Sequence, residues 1–583
     1  MSRDGGLILK ILVLAGGWLV LSVLFCGVGA LVRRVFHSRV ADESDVFFDW
    51  WIGWGVVVIF LLAWHLAMPV NAWTYVPITV AGLAGASVAL KDWKRAVPVP
   101  LSNPVVLMSL VGLAWITVAA MALGPDRQYD TGLYHLQSVR WAQAYAVVPG
   151  LANIDGRFGT NSSFFLFAAL TDGIRIQEST LRLAAGLMFL PVIVQGTLRL
   201  HGAVTGRQKM DSVGWFQTLM VPVTLLQARH YASSMSPDGV IFLLTLVVSA
   251  ELLRILSKER KSPDQNLSES EGDYRVFGII LLTAIAVTVK VSVAIFAIGA
   301  VALAVWKWWR PTASPTANAR GSGARGARLS GMLLPAILAA ILWIANGVVL
   351  SGYIAYPSTI GSFPVDWRTP ASVIRSDADW IFAWARSPGM DPRAVLTNRD
   401  WIPRWLAATA RDRDVLGAAF ALALGAALAF VRRRQRAHTD RAGPLAYIFL
   451  LPCIFFMVFW LFTAPAIRFA IGPLWVIGIG ALAISVAASG VPPLNELRMR
   501  NLLPAGLGLV LFAFFAVALS ETGRPASSAR VRPIATPSGL SVYLPVSGDR
   551  CGDAPLPCSS KPPEKGLELR DPGTFEKGFR IVR

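Results

Sequence analysis

The sequence predicts an all-α polytopic membrane protein with about 14 transmembrane helices. Three observations carry that expectation. The 583 residues are 54% hydrophobic and only 15% charged, with mean hydropathy +0.54, which is too little charge to cover a soluble surface of that size. Apolar runs near 20 residues in length recur along the whole chain, each long enough to cross a hydrocarbon core of about 30 Å. The net charge of +19 sits in short Lys/Arg clusters between those runs. That is the positive-inside pattern of a membrane protein rather than the footprint of a nucleic-acid binder.

The runs lie at 7–32, 46–67, 74–90, 104–123, 180–200, 213–229, 238–256, 276–290, 291–309, 330–350, 415–431, 445–462, 469–489 and 501–519. The first is too long for the apolar region of a cleavable signal and lacks a clear cleavage site. Placing every basic cluster in the cytoplasm threads the chain consistently: Arg33, Arg34 and Arg39; Lys91, Lys94 and Arg95; Lys258, Arg260 and Lys261; Arg310 to Arg328; Arg432 to Arg436. The stretch "VFGIILLTAIAVTVKVSVAIFAIGAVALAVWKWW" would be roughly 50 Å long as a single helix, too long for one crossing. Two crossings with a turn near Lys290 also keep the Arg-rich loop inside. An even number of crossings returns both termini to the outside.

The organisation is then a four-helix membrane segment (1–123), an extracytoplasmic loop (124–179), central membrane helices (180–350), a second outer loop (351–414), C-terminal membrane helices (415–519) and an exported tail (520–583). Cys26 and Cys453 lie in apolar runs, whereas Cys551 and Cys558 lie in the polar "CGDAPLPC" and suit a disulfide in an oxidising compartment. The polar stretches 257–275 and 311–328 read as low-complexity and mobile.

The unusual polar groups all face outward. The loop "DRQYDTGLYHLQSVRWAQAYAVVPGLANIDGRFGTNSS" (126–163) carries three Asp, three Arg and His135. A helix over 130–146, lying on the membrane surface, puts Asp130, Tyr134, Gln137 and Trp141 on one face. Asp130 is there either a base for a bound hydroxyl or the cap of that helix. His135, elsewhere on the helix, is either a ligand or a hydrogen-bonded helix-face residue. Arg127, Arg140 and Arg157 suit a lipid phosphate, or else form surface ion pairs with Asp126 and Asp155. Asp238 heads a helix after Pro237, and Lys290 and Arg468 mark membrane turns, so each has a bland reading in the helix dipole or in snorkelling.

The order of these pieces resembles the GT-C superfamily, polytopic glycosyltransferases that use polyprenyl-phosphate or polyprenyl-diphosphate donors. The resemblance runs from the Asp130 loop through "SSFFLFAALTDGIRIQESTLRLAAGL" with Arg182, "ARHYASSMSPDG" with Asp238, "TVKVS" with Lys290 and "IRFAIGP" with Arg468. The stretches "SGYIAYPST", "VDWRTP" and "CGDAPLPC", with the Asp130 loop, look more narrowly like a family of bacterial multipass membrane proteins of no assigned activity. The GT-C resemblance implies a GT-C-like core in a bacterial cytoplasmic membrane, a polyprenyl-linked sugar donor, and a glycan, lipid or protein acceptor. It assigns catalysis to Asp130, with Asp155 or Asp238 as a second carboxylate. Substrate binding falls to Arg127, Tyr134, His135, Arg140, Trp141, Arg157, Arg182, Lys290 and Arg468, and a divalent metal is a possible cofactor. The sequence departs from the pattern in two ways: three helices precede the one leading into the Asp loop, and Thr131 follows Asp130 where a second acid is usual. The competing expectations are a flippase or transporter of a lipid-linked saccharide, which needs charge along the membrane path, and a non-catalytic envelope assembly protein.

Overall fold

A computed structural model describes residues 3–38, 40, 43–96, 104–172, 174–176, 179–257, 269–310, 322–435, 444–489, 497–522 and 529–582. The long helices, in order, are α1 (Arg3–Val35), α2 (Glu43–His65), α3 (Tyr75–Ala96) and α4 (Pro104–Ala122). Two short helices follow, α5 (Leu136–Ala144) and α6 (Ser163–Thr171), with a hairpin of β1 (Ile174–Ile176) and β2 (Ser179–Leu181). Then come α7 (Ala184–Val204), α8 (Ser212–Tyr231), α9 (Pro237–Ser257), α10 (Glu269–Val289), α11 (Ala294–Trp309) and α12 (Ser322–Ser351). A second interhelix segment carries α13 (Ala371–Arg386), α14 (Pro392–Thr397) and α15 (Trp401–Thr409), and α16 (Arg413–Gln435), α17 (Leu451–Thr463), α18 (Ile471–Ala488) and α19 (Leu497–Glu521) complete the helices.

Among the described residues, 13 helices are long and apolar enough to cross a membrane. They fall on 13 of the expected runs, so the protein is a multipass helical membrane protein. The remaining run, 213–229, is α8, whose Gln217, Gln227, Arg229 and His230 keep it below that apolarity. It still runs the length of the bundle. Near its start Gln217 meets Arg199, which also reaches Gln208; at its end Arg229 pairs with Glu521. The expected turn at Lys290 is present: α10 stops at Val289, Lys290 is extended (φ −157°), and α11 packs back along α10.

The apolar window of α9 is 100% buried and that of α19 only 17%, which sets centre against periphery. Outer helices expose Phe420, Phe462, Leu509 and Val105, as a lipid-facing wall requires. Helices α1 and α2 approach backbone to backbone: a Cβ on Gly29 would lie 1.9 Å from the Asp49 carbonyl oxygen, and one on Gly53 1.9 Å from that of Phe25. Small residues at helix contacts serve this purpose in membranes, where dispersion replaces the hydrophobic effect.

The two ends of the bundle differ. At one end lie the segments after α4, α8, α10, α12 and α17, and there those after α4 and α12 meet the C-terminal tail. The tail is folded, with β3 (Val531–Ala535) paired to β4 (Ser541–Pro545), β5 (Leu567–Leu569) paired to β6 (Phe579–Ile581), and a disulfide between Cys551 and Cys558. Its Leu540, Val542, Leu567 and Phe579 share a second core with Trp141, Val148, Leu151, Ile154 and Phe158.

The opposite end holds a buried ionic network that the sequence reading missed. Arg33 binds Asp49 at 2.8 Å, Arg275 binds Asp45 (2.6 Å), Glu251 (2.5 Å) and Glu271 (3.1 Å), and Tyr274 donates to Asp49 at 2.5 Å. The sequence singled out only polar groups facing outward, and this network adds buried charge at the other end. It corrects the mobile reading of 257–275: residues 269–275 are helical, and Asp273, Tyr274 and Arg275 are buried. Residues 322–328, expected to be mobile, begin α12, and Arg328 there reaches Glu269 and Asp273. The basic cluster at Lys258, Arg260 and Lys261, and Arg436, lie outside the described residues.

Candidate functional site

The helical stretch expected over 130–146 begins at Tyr129, passes through a π-helical turn at Thr131–His135 and ends with α5. Nine α-helical residues span only about 14 Å, too short to cross a bilayer. Asp130 is already helical (φ −65°, ψ −20°) and makes no capping hydrogen bond, so capping does not account for it. Its carboxylate instead accepts from Arg468 at 3.0 Å. Arg468 sits in the 3-10 turn Ile467–Phe469 between α17 and α18, 338 residues away in sequence.

A second ion pair lies alongside. Lys290, in the break between α10 and α11, pairs with Asp238 in the first turn of α9. Phe469 joins the two pairs: its ring centroid is 3.7 Å from Lys290 Nζ and 4.9 Å from the Arg468 guanidinium. Two cations that share one aromatic ring are held close to one another by it. Exposure falls across the cluster, from 37% for Arg468 and 27% for Asp130 to 25% for Lys290 and 9% for Asp238. The open end is therefore the Asp130–Arg468 pair.

Tyr134 and His135 form the floor, their rings 4.3 Å apart and both against Phe165. Burial, with Asp130 nearby, raises the Tyr134 phenol above its usual range, so it stays a donor. Burial pushes the His135 imidazole down to about 4, so it is neutral at pH 7, and its Nδ1 has no partner among the described residues. For Arg468, burial works against the charge, but the Asp238 and Asp130 carboxylates outweigh it and raise its pKa.

The remaining expected residues go elsewhere. Asp155 caps the turn Gly156–Gly159 through the Arg157 N–H (3.1 Å) and accepts from Ser560 of the tail, while Arg157 reaches Asp155 (3.6 Å) and Ser560 (2.9 Å). Arg140 pairs with Asp553 at 2.7 Å and donates to the Asp553 and Ala554 carbonyls. Trp141 is buried against Phe575 and Phe579, and Gln137 donates to the Gly552 and Ala554 carbonyls. The expected single face of Asp130, Tyr134, Gln137 and Trp141 is thus divided. The π turn adds a residue to the repeat and rotates Gln137 and Trp141 toward the tail. Arg182 pairs with Asp126 (3.1 Å) and the Ser233 carbonyl (3.0 Å), and Arg127 pairs with Glu521 (2.6 Å).

Phe469 was missed because an aromatic beside a basic turn residue carries no signal of its own. A cavity of about 50 Å³, lined by His65, Trp141, Asn161, Ser162, Phe165 and Asn346, lies beside the cluster across Phe165. It has room for a few waters and excludes a whole sugar. Among the described residues no group of three His, Cys, Asp or Glu is placed to hold a metal. Both acids of the cluster are already paired with cations, which does not fit the divalent metal that the resemblance allowed.

Residues 11–475 match the family described as a domain of unknown function (DUF8201). The chain belongs to that family. Its matched region ends just beyond Arg468, so all four charged groups of the cluster lie within the family's part of the chain, and the folded tail lies outside it. No curated protein and no solved structure matches the chain.

Proposed function

We propose that this DUF8201 protein is a membrane glycosyltransferase that moves a sugar from a polyprenyl-phosphate or polyprenyl-diphosphate donor to an acceptor on the extracytoplasmic face. The observation that carries the reading is the convergence of Asp130, Asp238, Lys290, Arg468 and Tyr134, drawn from four separate turns, at one end of the helix bundle. In this reading Asp130 takes the proton of the acceptor hydroxyl as the new glycosidic bond forms. Arg468 and Lys290, spaced by Phe469, receive the phosphate that leaves with the bonding electron pair, and fixed cations there lower the barrier as charge builds. An incoming phosphate replaces Asp130 as the partner of Arg468, which frees the carboxylate for the acceptor. The basic clusters at the opposite end orient the cluster outward by the positive-inside rule.

The test is made in cells. Deleting the gene should cause a polyprenyl-linked sugar to accumulate and one sugar to vanish from an envelope glycan. Asp130→Asn should reproduce both effects at wild-type protein levels. Full complementation by Asp130→Asn would end the proposal. The buried network around Asp49 and Arg275 gives a transporter reading a specific observation, since it places ionisable groups inside the opposite half of the helices. Asp49→Asn would then abolish appearance of the lipid-linked sugar on the outer leaflet, while a transferase keeps working on substrate supplied there.

A further inference from the structure

We propose that Arg127, Arg229 and Arg413, with His230, form a second binding site, for a phosphate-bearing group, separate from the Asp130 cluster. Four chain segments build it. Arg229 and His230 occupy the last turn of α8, Arg413 opens α16, Glu521 closes α19, and Arg127 precedes the π turn. All three guanidiniums and Glu521 lie within electrostatic reach of the His230 ring.

The charges do not balance. Glu521 spends one oxygen on Arg127 (2.6 Å) and the other on Arg229 (2.8 Å). Among the described residues Arg413 meets no carboxylate closer than Asp414 at 3.9 Å, and the other oxygen of Asp414 is engaged by Gln227 (2.8 Å) and Trp475 (2.9 Å). Arg413 instead donates to the His230 ring nitrogen, which must therefore be unprotonated. Arg229 Nε has no partner among the described residues. The helix dipole favours a cation at the end of α8, but Arg413 stands at the start of a helix, where the dipole opposes it. A surplus of guanidinium donors at one place, half open at 29%, 35% and 56% exposure, is the arrangement that grips a phosphate by paired hydrogen bonds.

The ligand's carrier follows from what lies below. Leu416 and Phe420 continue from Arg413 down α16, and Val517 and Leu519 lead up to Glu521 on α19, all exposed. A phosphodiester held by the arginines would lay its chains on these exposed apolar side chains, as a membrane lipid does and free phosphate does not. Tyr231 follows His230 directly and packs against Gly239, the neighbour of Asp238, so it lies between the two clusters. The inference needs no glycosyl transfer and stands if that reading fails.

The experiment uses the full chain in neutral detergent, with binding followed by native mass spectrometry and thermal shift. The probes are phosphatidylglycerol, phosphatidylcholine and inorganic phosphate. Phosphatidylglycerol should bind saturably and stabilise the wild type, and Arg229→Gln/Arg413→Gln should weaken its apparent affinity at least tenfold. Should the double variant not fold, Arg413→Gln alone, at the most exposed of the three, should weaken it about threefold or more. Stabilisation by inorganic phosphate that is lost in the same variants keeps the site and assigns it to free phosphate. Wild-type affinity in the arginine variants overturns the proposal. So does loss of binding in Arg468→Gln alone, which would give the anion to the first cluster, and so does equal binding of phosphatidylcholine.

Discussion

The two ion pairs of the candidate site differ in burial, and that difference predicts which substitutions the fold tolerates. Asp130 and Arg468 are 27% and 37% exposed, so solvent screening holds their pair to about 0–1 kcal/mol. Asp238 is only 9% exposed and shares Phe469 with two cations. Removing its carboxylate leaves Lys290 without its acid partner, beside the ring that also carries Arg468. A buried pair broken on one side costs about 3–5 kcal/mol, and the 25% exposure of Lys290 puts this one at the low end, about 3 kcal/mol. Asp130→Asn should therefore leave the melting transition in nanodiscs almost unchanged, while Asp238→Asn lowers it clearly. Adding Lys290→Met to Asp238→Asn should recover most of the loss, because the orphaned charge is then gone, with a coupling of about 2 kcal/mol. The assay is a detergent or heat unfolding series on Asp130→Asn, Asp238→Asn, Lys290→Met and the Asp238→Asn/Lys290→Met double variant. If the double variant is as unstable as the sum of its singles, the pair is not coupled and the reasoning is wrong. If Asp130→Asn alone collapses the protein, loss of activity in that variant cannot be read as chemistry.

Three further outcomes follow from the structure. His135 has a folded pKa of about 4 against an ordinary 6.5, so the unfolded chain binds the proton first and stability is lost as pH falls from 6.5 to 4, by about 3 kcal/mol. Asp172, pushed up to about 6 by burial, titrates in the opposite sense, so the check is the pH dependence of unfolding in His135→Gln relative to wild type, which should lose the His135 part of that fall. Gly53→Val should separate α1 from α2, since its Cβ would lie 1.9 Å from the Phe25 carbonyl oxygen; the readout is loss of folded protein, and Gly16→Val, with nothing within 4 Å, should be tolerated. Reducing the Cys551–Cys558 bond should increase hydrogen exchange at the Gly552 amide, which donates to the Gly132 carbonyl at 2.7 Å, while α9 stays protected.

Much of the membrane architecture was legible because hydropathy over about 20 residues reports directly on which segments can cross. Even the break at Lys290 followed from helix length against bilayer thickness. The site was legible only in part. Residue types flagged the turns that meet, Asp130, Asp238, Lys290 and Arg468, but their pairing spans up to 338 residues, and no local pattern says which cation takes which acid. The dense charge of 126–163 misled for a physical reason. Arg140, Asp155, Arg157, Gln137 and Tyr129 resemble ligand-binding groups in sequence, yet each bonds the C-terminal tail. A loop rich in hydrogen-bonding groups serves docking of another segment as well as binding of a substrate, and a sequence does not distinguish the two uses.

That division of labour also explains the π turn. Asp130 must face the membrane turn at Phe469, while Gln137, Arg140 and Trp141, farther along the same stretch, must face the tail. A regular α-helix would carry Asp130, Tyr134, Gln137 and Trp141 along one stripe and could meet only one of these demands. The wider turn at Thr131–His135 shifts the phase between them. The strap at Asp549–Ala554 fixes it from outside: Gly552 N–H binds the Gly132 carbonyl, the Arg550 side chain packs 3.2 Å from where a Gly132 Cβ would stand, and its guanidinium lies 5.1 Å from the Tyr129 ring. Local strain in a helix persists only where its surroundings over-determine it, and here the tail does so from one side and Arg468 from the other. Among the described residues the tail bears on the Asp130 cluster through the backbone and packing of 129–132, and none of its charges pairs with Asp130, Asp238, Lys290 or Arg468.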